Sequence, residues 1–292
     1  MKTNFLILVL AIAAVSASIC DTRDFLKPVS VELLVFSGSS NPTWTLTELE
    51  LTQFCKMRTT VNGRCDGVMM GYNGFIVGDE HIQLNMKLEL FLLGTAAHRE
   101  VIPRNVLDHC FERIQSGRAN GCLPLVSANP PEGGCKGVVG PDTVPTYDPQ
   151  DDDQGCFISD QPNNNCYNYG NDIASGTFAQ PGRGTGQKWS ENTCEDIRAS
   201  AERDGLVWAG TDLPTDVPED GHFVALLIWP RTNFHWIRMD KSKYWSHKPG
   251  GQSVRDVDAN GKQITDPSKS DFSPWTQFCG YMTTIPSEVK IN

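Results

Sequence analysis

The sequence predicts an α+β fold: a small N-terminal α+β domain, then a C-terminal domain in which helices pack on an antiparallel sheet. Two observations support this prediction. After residue 163, helix signals and then strand signals follow one another in separate runs, which is typical of an α+β layer. The 292 residues also suffice for two domains of ordinary size. We divide the chain into residues 1–18 (leader), 19–122 (N-terminal domain), 123–163 (linker) and 164–292 (C-terminal domain).

Residues 1–18 have the features of a secretory signal peptide. Met1-Lys2 gives a positive start, residues 5–15 form an apolar run, and Val15-Ser16-Ala17 is a small-residue cleavage site. The run is too short to cross a bilayer, and no later segment reaches the roughly 18 apolar residues that a membrane helix needs. The sequence therefore predicts a secreted, extracellular protein.

The N-terminal domain mixes strand and helix signals. Residues 29–36 are apolar and β-rich, which predicts a strand. Thr47-Glu48-Leu49-Glu50 is a capping-box pattern, which predicts a helix over residues 47–58. Apolar residues at every second position from 82 to 92 predict a half-buried strand, and the apolar spacing over 106–114 predicts a helix.

The linker and the C-terminal domain differ sharply in composition. Residues 123–163 are dense in Pro, Gly and Asp, a composition that cannot bury a core. A first helix is expected from Cys166 to about residue 176, and a second is expected from its cap at Thr193 to Gly205. Three consecutive strands are then predicted, over residues 223–229, 234–240 and 244–247.

The charge balance argues against several partners. The net charge is −10 and there is no long basic run, whereas nucleic-acid binding needs clustered Lys and Arg. The same lack of basic clusters gives no support to binding at an anionic membrane surface. The Gly-rich segment 181–186 lacks the Gly-Lys-Ser/Thr ending of a phosphate loop. We therefore expect no nucleic-acid partner, no membrane partner and no cofactor.

The ten cysteines favour an extracellular, disulfide-bonded protein. Their even number favours five bridges and no free thiol. A catalytic Cys166 therefore requires a second unpaired cysteine, and Cys20 near the new N-terminus is the expected one. No Cys-x-x-Cys pair occurs, so a zinc site built on cysteines is not suggested. The ten residues are Cys20, Cys55, Cys65, Cys110, Cys122, Cys135, Cys156, Cys166, Cys194 and Cys279.

Cys166 is the candidate nucleophile because it follows an Asn-rich loop at a predicted helix start. The unpaired N–H groups and the dipole of a helix N-terminus stabilise a thiolate, so a low thiol pKa is expected there. A thiolate hydrolase also needs a histidine as base and a third group that orients this histidine. His235 and His247 suit these roles, because a turn near residues 241–242 places them within diagonal reach on one sheet face.

Two residues compete for these roles. His222, at the head of the preceding strand, is a rival base, and Asp240 is a rival orienter. With a turn near residue 231, His222 lies opposite residues 240–241, so the sequence leaves this pairing open. The competing interpretation of Cys166 is that it is one more half-cystine.

The segment 256–261 matches the start of a calcium loop. Asp256, Asp258 and Asn260 place oxygens at the first, third and fifth positions, and Gly261 follows at the sixth. The twelfth position is Pro267 rather than a bidentate Glu, so we favour a hairpin turn with Asn-Gly at its tip over a calcium site. We predict no metal cofactor.

Four segments of the C-terminal domain resemble the NlpC-type cell-wall peptidases, a branch of the papain-like cysteine hydrolase superfamily. The resemblance covers roughly residues 163–260 and implies a papain-like domain with a helix-borne Cys packed on an antiparallel sheet. It also implies Cys166 as nucleophile, His235 as base and His247 as orienter in the cleavage of an amide bond, without a metal. The four segments are Cys166-Tyr167, Pro218–Leu226, His235–Asp240 and Tyr244–Gly250.

Two functions from different classes follow. The first is a secreted cysteine hydrolase or amidase that acts on a peptide or a cell-wall glycopeptide, such as a peptidoglycan stem peptide. The alternative is a non-catalytic, disulfide-rich surface, matrix or carbohydrate-binding protein. The two hypotheses differ in the state of Cys166, which must be free and close to an imidazole in the hydrolase.

Overall fold

The chain forms a mixed α and β structure, as the sequence predicts. The predicted signal peptide lies outside the residues that the structure describes. The computed structural model describes residues 19–20, 28–58, 70–83, 85–116, 134–149 and 155–292. The helices are α1 (Glu48–Met57), α2 (Met86–Ala97), α3 (Arg104–Ser116), α4 (Cys156–Ser159), α5 (Cys166–Gly170) and α6 (Cys194–Asp204). The strands are β1 (Val29–Leu33), β2 (Thr43–Leu46), β3 (Phe75–Val77), β4 (Glu80–Ile82), β5 (Gly137–Val138), β6 (Ile173–Ala174), β7 (Val207–Gly210), β8 (His222–Trp229), β9 (Asn233–Met239), β10 (Trp245–His247) and β11 (Gln277–Thr284).

The N-terminal part contains a four-stranded antiparallel sheet in the order β2-β1-β3-β4. Along β1, Val29, Val31 and Leu33 are buried, whereas Ser30 is exposed and Glu32 is half-buried. This alternation gives the sheet one buried face, which packs with α1 to α3, and one outer face. The predicted helix over 47–58 is confirmed as α1, with the capping box of Thr47 and Glu50 formed.

The strand predicted over residues 82–92 is wrong, because this segment forms β4 only to Ile82 and then helix α2. The side chain of Asn85 caps α2 by accepting a hydrogen bond from the Leu88 N–H at 3.2 Å. The apolar residues also fit a helix, since Leu88, Leu92 and Ala96 recur every four residues and are fully buried. The alternation expected of a strand and the repeat expected of a helix coincide over this stretch. The cap and the packing against the first sheet together select the helix.

The C-terminal part contains a five-stranded antiparallel sheet in the order β10-β9-β8-β11-β7. The three strands predicted over 223–229, 234–240 and 244–247 are confirmed as β8, β9 and β10. Every residue of β9 is buried, because α5 and α6 belong to the apolar cluster on one face and the N-terminal part contributes to the cluster on the other. Burial on both faces explains the uniformly apolar sequence of β8.

The two helices predicted in the C-terminal part differ in accuracy. Helix α6 has the predicted ends: Thr193 accepts from the Asp196 N–H, and Gly205 closes the helix at φ 110°. Helix α5 begins at Cys166 as predicted but ends at Gly170. The next residues turn instead into β6, which pairs with β5 of the predicted linker.

The two predicted domains share one apolar core. The largest cluster joins Val31 and Phe75 of the first sheet with Leu227, Ile237 and Trp245 of the second. The linker also contributes ordered contacts, since Cys135 forms a disulfide with Cys156. The division into domains remains a prediction from the sequence, but the structure packs the two parts against each other over a broad surface.

Candidate functional site

Cys166 lies at the first position of α5 and is fully buried. The preceding residue, Asn165, caps this helix, because its Oδ1 accepts hydrogen bonds from the N–H groups of Tyr167 and Asn168. The Asn165 amide also donates to the Gly38 carbonyl at 2.9 Å. The Cys166 thiol donates to the Ser37 carbonyl at 3.4 Å. A loop of the N-terminal part therefore covers the predicted nucleophile.

The Cys166 thiol is in its protonated form. Burial raises its pKa to about 12, although neighbouring hydrogen bonds and the positive charge of Lys248 act in the opposite direction. The sequence suggested a lowered pKa from the helix N-terminus. Helix α5 has five residues, and its effect is smaller than the cost of placing a thiolate in an apolar cluster.

The cysteine pairing differs in part from the sequence expectation. Cys20, expected to be free, forms a disulfide with Cys55, so that expectation is wrong. In the part of the chain that the structure describes, the free cysteines are Cys166 and Cys110, and both are buried. Cys65 and Cys122 lie outside the described residues. The described disulfides are Cys20–Cys55, Cys135–Cys156 and Cys194–Cys279.

His235 and His247 are direct neighbours, as the predicted hairpin register requires. In the pairing of β9 with β10, His247 lies opposite Ile237 and Trp245 lies opposite Met239. This register brings His235 Nε2 to 2.7 Å from His247 Nδ1. The two ring planes are nearly perpendicular, at 83°. Both imidazoles are fully buried.

The hydrogen bonds fix the tautomers of this pair. His247 Nε2 lies 3.0 Å from the Val257 carbonyl, so this nitrogen must carry a proton and His247 Nδ1 must accept. His235 therefore donates from Nε2, and its Nδ1 is an acceptor 2.9 Å from the Ser37 hydroxyl, whose single proton also has the Phe234 carbonyl at 2.9 Å as an acceptor. The chain of donors runs from Ser37 through His235 and His247 to a backbone carbonyl. The position next to the predicted base is thus occupied by Ser37.

Cys166 and His235 lie on opposite faces of β9. Phe234 and Trp236 belong to the same apolar cluster as Cys166. His235 lies between these two residues, and its side chain points to the opposite face because neighbouring side chains of a strand alternate. Its ring lies 5.2 Å from the Trp275 ring, within the other cluster. Ser37 contacts both residues, through its carbonyl to Cys166 and through its hydroxyl to His235. The predicted nucleophile and base are therefore joined through Ser37.

His222 and Asp240, the rival base and orienter, belong to a separate buried network around Arg238. His222 Nε2 lies 2.8 Å from the Gly170 carbonyl, and its Nδ1 lies 3.9 Å from Asp172 Oδ2. Arg238 Nε donates to Asp240 at 3.3 Å. In the pairing of β8 with β9, Val224 lies opposite Arg238, and this register continued by two residues places His222 opposite Asp240, as expected from a turn near residue 231.

Lys248 is a second residue, besides Ser37, that the sequence interpretation missed. Its ammonium group is fully buried and donates to the carbonyls of Gln161, Asn164 and Gly250 at 2.6, 2.6 and 2.8 Å. It therefore fixes the loop before α5 against the end of β10. The available signal in the sequence was a lysine next to the end of a buried strand. Such a lysine indicates a set of partners, since lysine is rarely fully buried without them.

The residues of the suggested calcium loop form a tight turn with internal hydrogen bonds. Asp258 Oδ1 accepts from the N–H groups of Asn260 and Lys262, and Gly261 has a left-handed φ of 75°. Asp256 accepts from the Gln263 side chain. Among the described residues, no group of three or more His, Cys, Asp or Glu is arranged to hold a metal ion. The turn is the one favoured from the Asn-Gly sequence.

Comparison with known proteins gives one informative relative. No protein-family model matches the chain, and no solved structure matches it significantly. Insoluble matrix shell protein 1 of Ruditapes philippinarum is 39% identical over 126 residues, which are 43% of this chain and 82% of that protein. The chain belongs to the family of this matrix shell protein.

Membership of the matrix shell protein family overturns the resemblance to NlpC-type peptidases, which is wrong. That resemblance depended on four short segments with a cysteine at a helix start and histidines on later strands. A helix packed on an antiparallel sheet offers such positions on many folds, so residue order alone does not identify a family. The resemblance also placed Cys166 and His235 in direct contact, whereas the pleat of β9 separates them.

Membership of the matrix shell protein family and the disulfides indicate an extracellular protein. Among the described helices, none has both the length and the apolar character required to cross a bilayer.

The neutral histidine pair predicts a specific pH dependence of stability. Burial lowers the pKa of His247 to about 3 and that of His235 well below its ordinary value. Both folded-state values lie below the unfolded-state value of 6.5, so the unfolded chain binds more protons as the pH falls. The stabilisation from the neutral histidine pair is complete above the unfolded-state pKa and is lost as the pH falls towards the folded-state pKa values. Between about pH 7 and about pH 5.5 the pair is expected to account for a loss of roughly 2–3 kcal/mol.

Urea unfolding of the wild type and of His235→Gln/His247→Gln at both pH values measures this contribution. The double variant is expected to show a smaller fall in unfolding free energy over the interval, whatever its absolute stability. The matched control variant is His98→Gln, at an exposed position. An equal fall in the wild type and the double variant would show that the pair is not held neutral.

Proposed function

We propose that this protein is a non-catalytic structural component of an extracellular matrix, and that its cysteine–histidine cluster stabilises the fold. The observation that carries this proposal is the complete burial of the cluster. Cys166, His235 and His247 each have 0% of their surface exposed. A substrate carbonyl cannot approach the sulfur without opening the core, and the protonated thiol is a weak nucleophile.

The cluster joins the N-terminal and C-terminal parts of the protein. Asn233 Oδ1 accepts from the N–H groups of Ser37 and Gly38, at 3.3 and 3.1 Å. The Gly38 carbonyl in turn accepts from Asn165 and from Gln180, at 2.9 and 2.6 Å. The loop carrying Ser37 and Gly38 is thus held by β9 on one side and by the start of α5 on the other.

Gly38 shows how close this approach is. A Cβ atom at position 38 would lie 2.4 Å from the Phe234 ring and 2.6 Å from the Phe234 carbonyl, so only glycine fits without displacing the strand. Buried networks in which every polar group has a partner restrict a protein to one arrangement. A disulfide-bonded protein of this kind suits an insoluble matrix, which is the setting that the name of the relative in Ruditapes philippinarum gives.

The reactivity of Cys166 tests this proposal directly. In the folded protein, iodoacetamide is expected to label Cys166 about a thousandfold more slowly than in the urea-unfolded protein, because the thiol is buried and protonated. Peptide mapping by mass spectrometry assigns the label to Cys166. The Cys110→Ser variant is the matched control, since Cys110 is also free and buried.

A hydrolysis assay completes the test. Wild type and Cys166→Ala are expected to release equal amounts of amine from peptidoglycan fragments, at the level of the buffer alone. Rapid labelling of Cys166, together with amine release that Cys166→Ala lacks, would instead establish the cysteine hydrolase. In the source tissue, we expect antibodies to detect the protein in the insoluble extracellular fraction, and detection only inside cells would contradict a matrix role.

A further inference from the structure

A cleft of about 450 Å³ lies on the outer face of the four-stranded sheet. Glu32, Leu34 and Phe36 of β1 and its extension line the cleft, and Thr43 and Ile76 of the neighbouring strands line it as well. The opposing wall comes from the C-terminal part. Its residues include Pro162, Asn163, Phe178, Pro249 and Gln252. The packing of the two parts against each other therefore creates this cleft.

The lining combines hydrocarbon surfaces with amide and hydroxyl groups and the carboxylate of Glu32. Leu34, Phe36, Ile76 and Phe178 are partly exposed and offer C–H and aromatic surfaces. Amide and hydroxyl side chains lie between them, and among the described residues that line the cleft none is Lys or Arg. The carboxylate of Glu32 accepts a hydrogen bond from the Asn41 amide at 2.9 Å. This surface favours an uncharged ligand that carries hydroxyl or amide groups.

Asn73 supplies a second, independent indication of a ligand. It lines the cleft but is only 5% exposed, and its Oδ1 accepts no hydrogen bond from the residues that the structure describes. A buried carbonyl oxygen without a donor is costly. The backbone of Asn73 is fully used, since its N–H donates to Leu34 and its carbonyl contacts His81 Nε2 at 2.8 Å. The unused side-chain oxygen is itself buried, and a rotation of the Asn73 side chain towards the cleft that it lines would present this oxygen to a donor from a ligand.

We propose that this cleft binds a neutral polysaccharide chain. Sugar rings present C–H faces that stack on apolar and aromatic side chains, and hydroxyl or acetamido groups that pair with amides. Asn73 Oδ1 accepts a hydroxyl or amide proton of the sugar. A peptide strand fits less well, because β-augmentation uses the free edge of a sheet, whereas the floor of this cleft is a sheet face made of side chains. The inference rests on the proposed matrix function and specifies its partner.

Two matched variants on β2 test the cleft. Thr43 and Thr45 are both exposed on this strand; Thr43 lies opposite Glu32 in the cleft, whereas Thr45 lies opposite Ser30 outside it. Isothermal titration calorimetry with cellohexaose and N-acetylchitohexaose is expected to show binding to the wild type. Thr43→Trp should weaken this binding at least about tenfold by filling the cleft, and Thr45→Trp should leave it unchanged. Asn73→Ala should weaken it about fivefold through the lost hydrogen bond.

The other outcomes overturn the inference. These are no binding of either oligosaccharide up to about 10 mM, equal binding by the two Trp variants, or tighter binding of a sulfated oligosaccharide or a proline-rich peptide. Circular dichroism and thermal unfolding of each variant confirm that the fold is retained. The labelling and hydrolysis experiments do not involve the cleft. A protein that is inert in them and binds no glycan would therefore retain the proposed function and lose only this inference.

Discussion

Removal of the Cys194–Cys279 disulfide is expected to lower the unfolding free energy by about 4.5 kcal/mol. The bond closes a loop with a sequence separation of 85 residues, and so strongly restricts the unfolded chain. It also connects the start of α6 to β11, the strand between β8 and β7 in the five-stranded sheet. Urea unfolding of Cys194→Ser/Cys279→Ser, compared with the wild type, measures the effect.

The Cys135–Cys156 disulfide provides the matched comparison. Its sequence separation is 21 residues, so Cys135→Ser/Cys156→Ser is expected to lose about 3.3 kcal/mol by the same loop-closure argument. The order of the two losses is the diagnostic result, because it depends on the length of each closed loop. A larger loss from the shorter loop would show that local contacts of the Cys135–Cys156 segment dominate the effect of that bond.

The sequence predicted best those features that local chemistry determines. The capping box at Thr47 and Glu50 and the caps of α6 at Thr193 and Gly205 all formed. The short connections after β8 and β9 fixed their registers, which is why the proximity of His235 and His247 was predictable. In each case the interacting residues are close in sequence, so few arrangements compete.

The prediction failed where distant segments decide the outcome. Ser37 lies 129 positions from Cys166 and 198 from His235, and no sequence pattern indicated that its loop would reach both. The side chains of β9 that face α5 could be identified only once it was known which face of the sheet α5 covers. The strand predicted over 82–92 failed for a similar reason, because packing of Leu88 and Leu92 against the first sheet selected a helix.

Among single substitutions, the loss of Arg238 is expected to be the most damaging, because its contacts also join segments that are distant in the sequence. Its guanidinium is fully buried and forms ion pairs with Asp172 and Asp240. It also donates to the Tyr169 hydroxyl at 2.8 Å and lies 4.0 Å from the centre of that ring. These contacts connect β9 to α5 and to the turn after it, directly beneath the helix that carries Cys166.

Arg238→Met is expected to lower the unfolding free energy by about 3–5 kcal/mol, because it keeps much of the side-chain volume but leaves two buried carboxylates without this cation. Urea unfolding at neutral pH measures the loss. Arg104→Met is the matched control: Arg104 forms an ion pair with Asp108 on the surface of α3, with 87% of its side chain exposed, and little change is expected. If replacing Asp172 and Asp240 by Asn in the Arg238→Met background restores much of the stability, the unpaired carboxylates are the cause. If the triple variant is no more stable than Arg238→Met, the loss comes instead from the packing of the guanidinium on Tyr169, and the electrostatic account of this network is wrong.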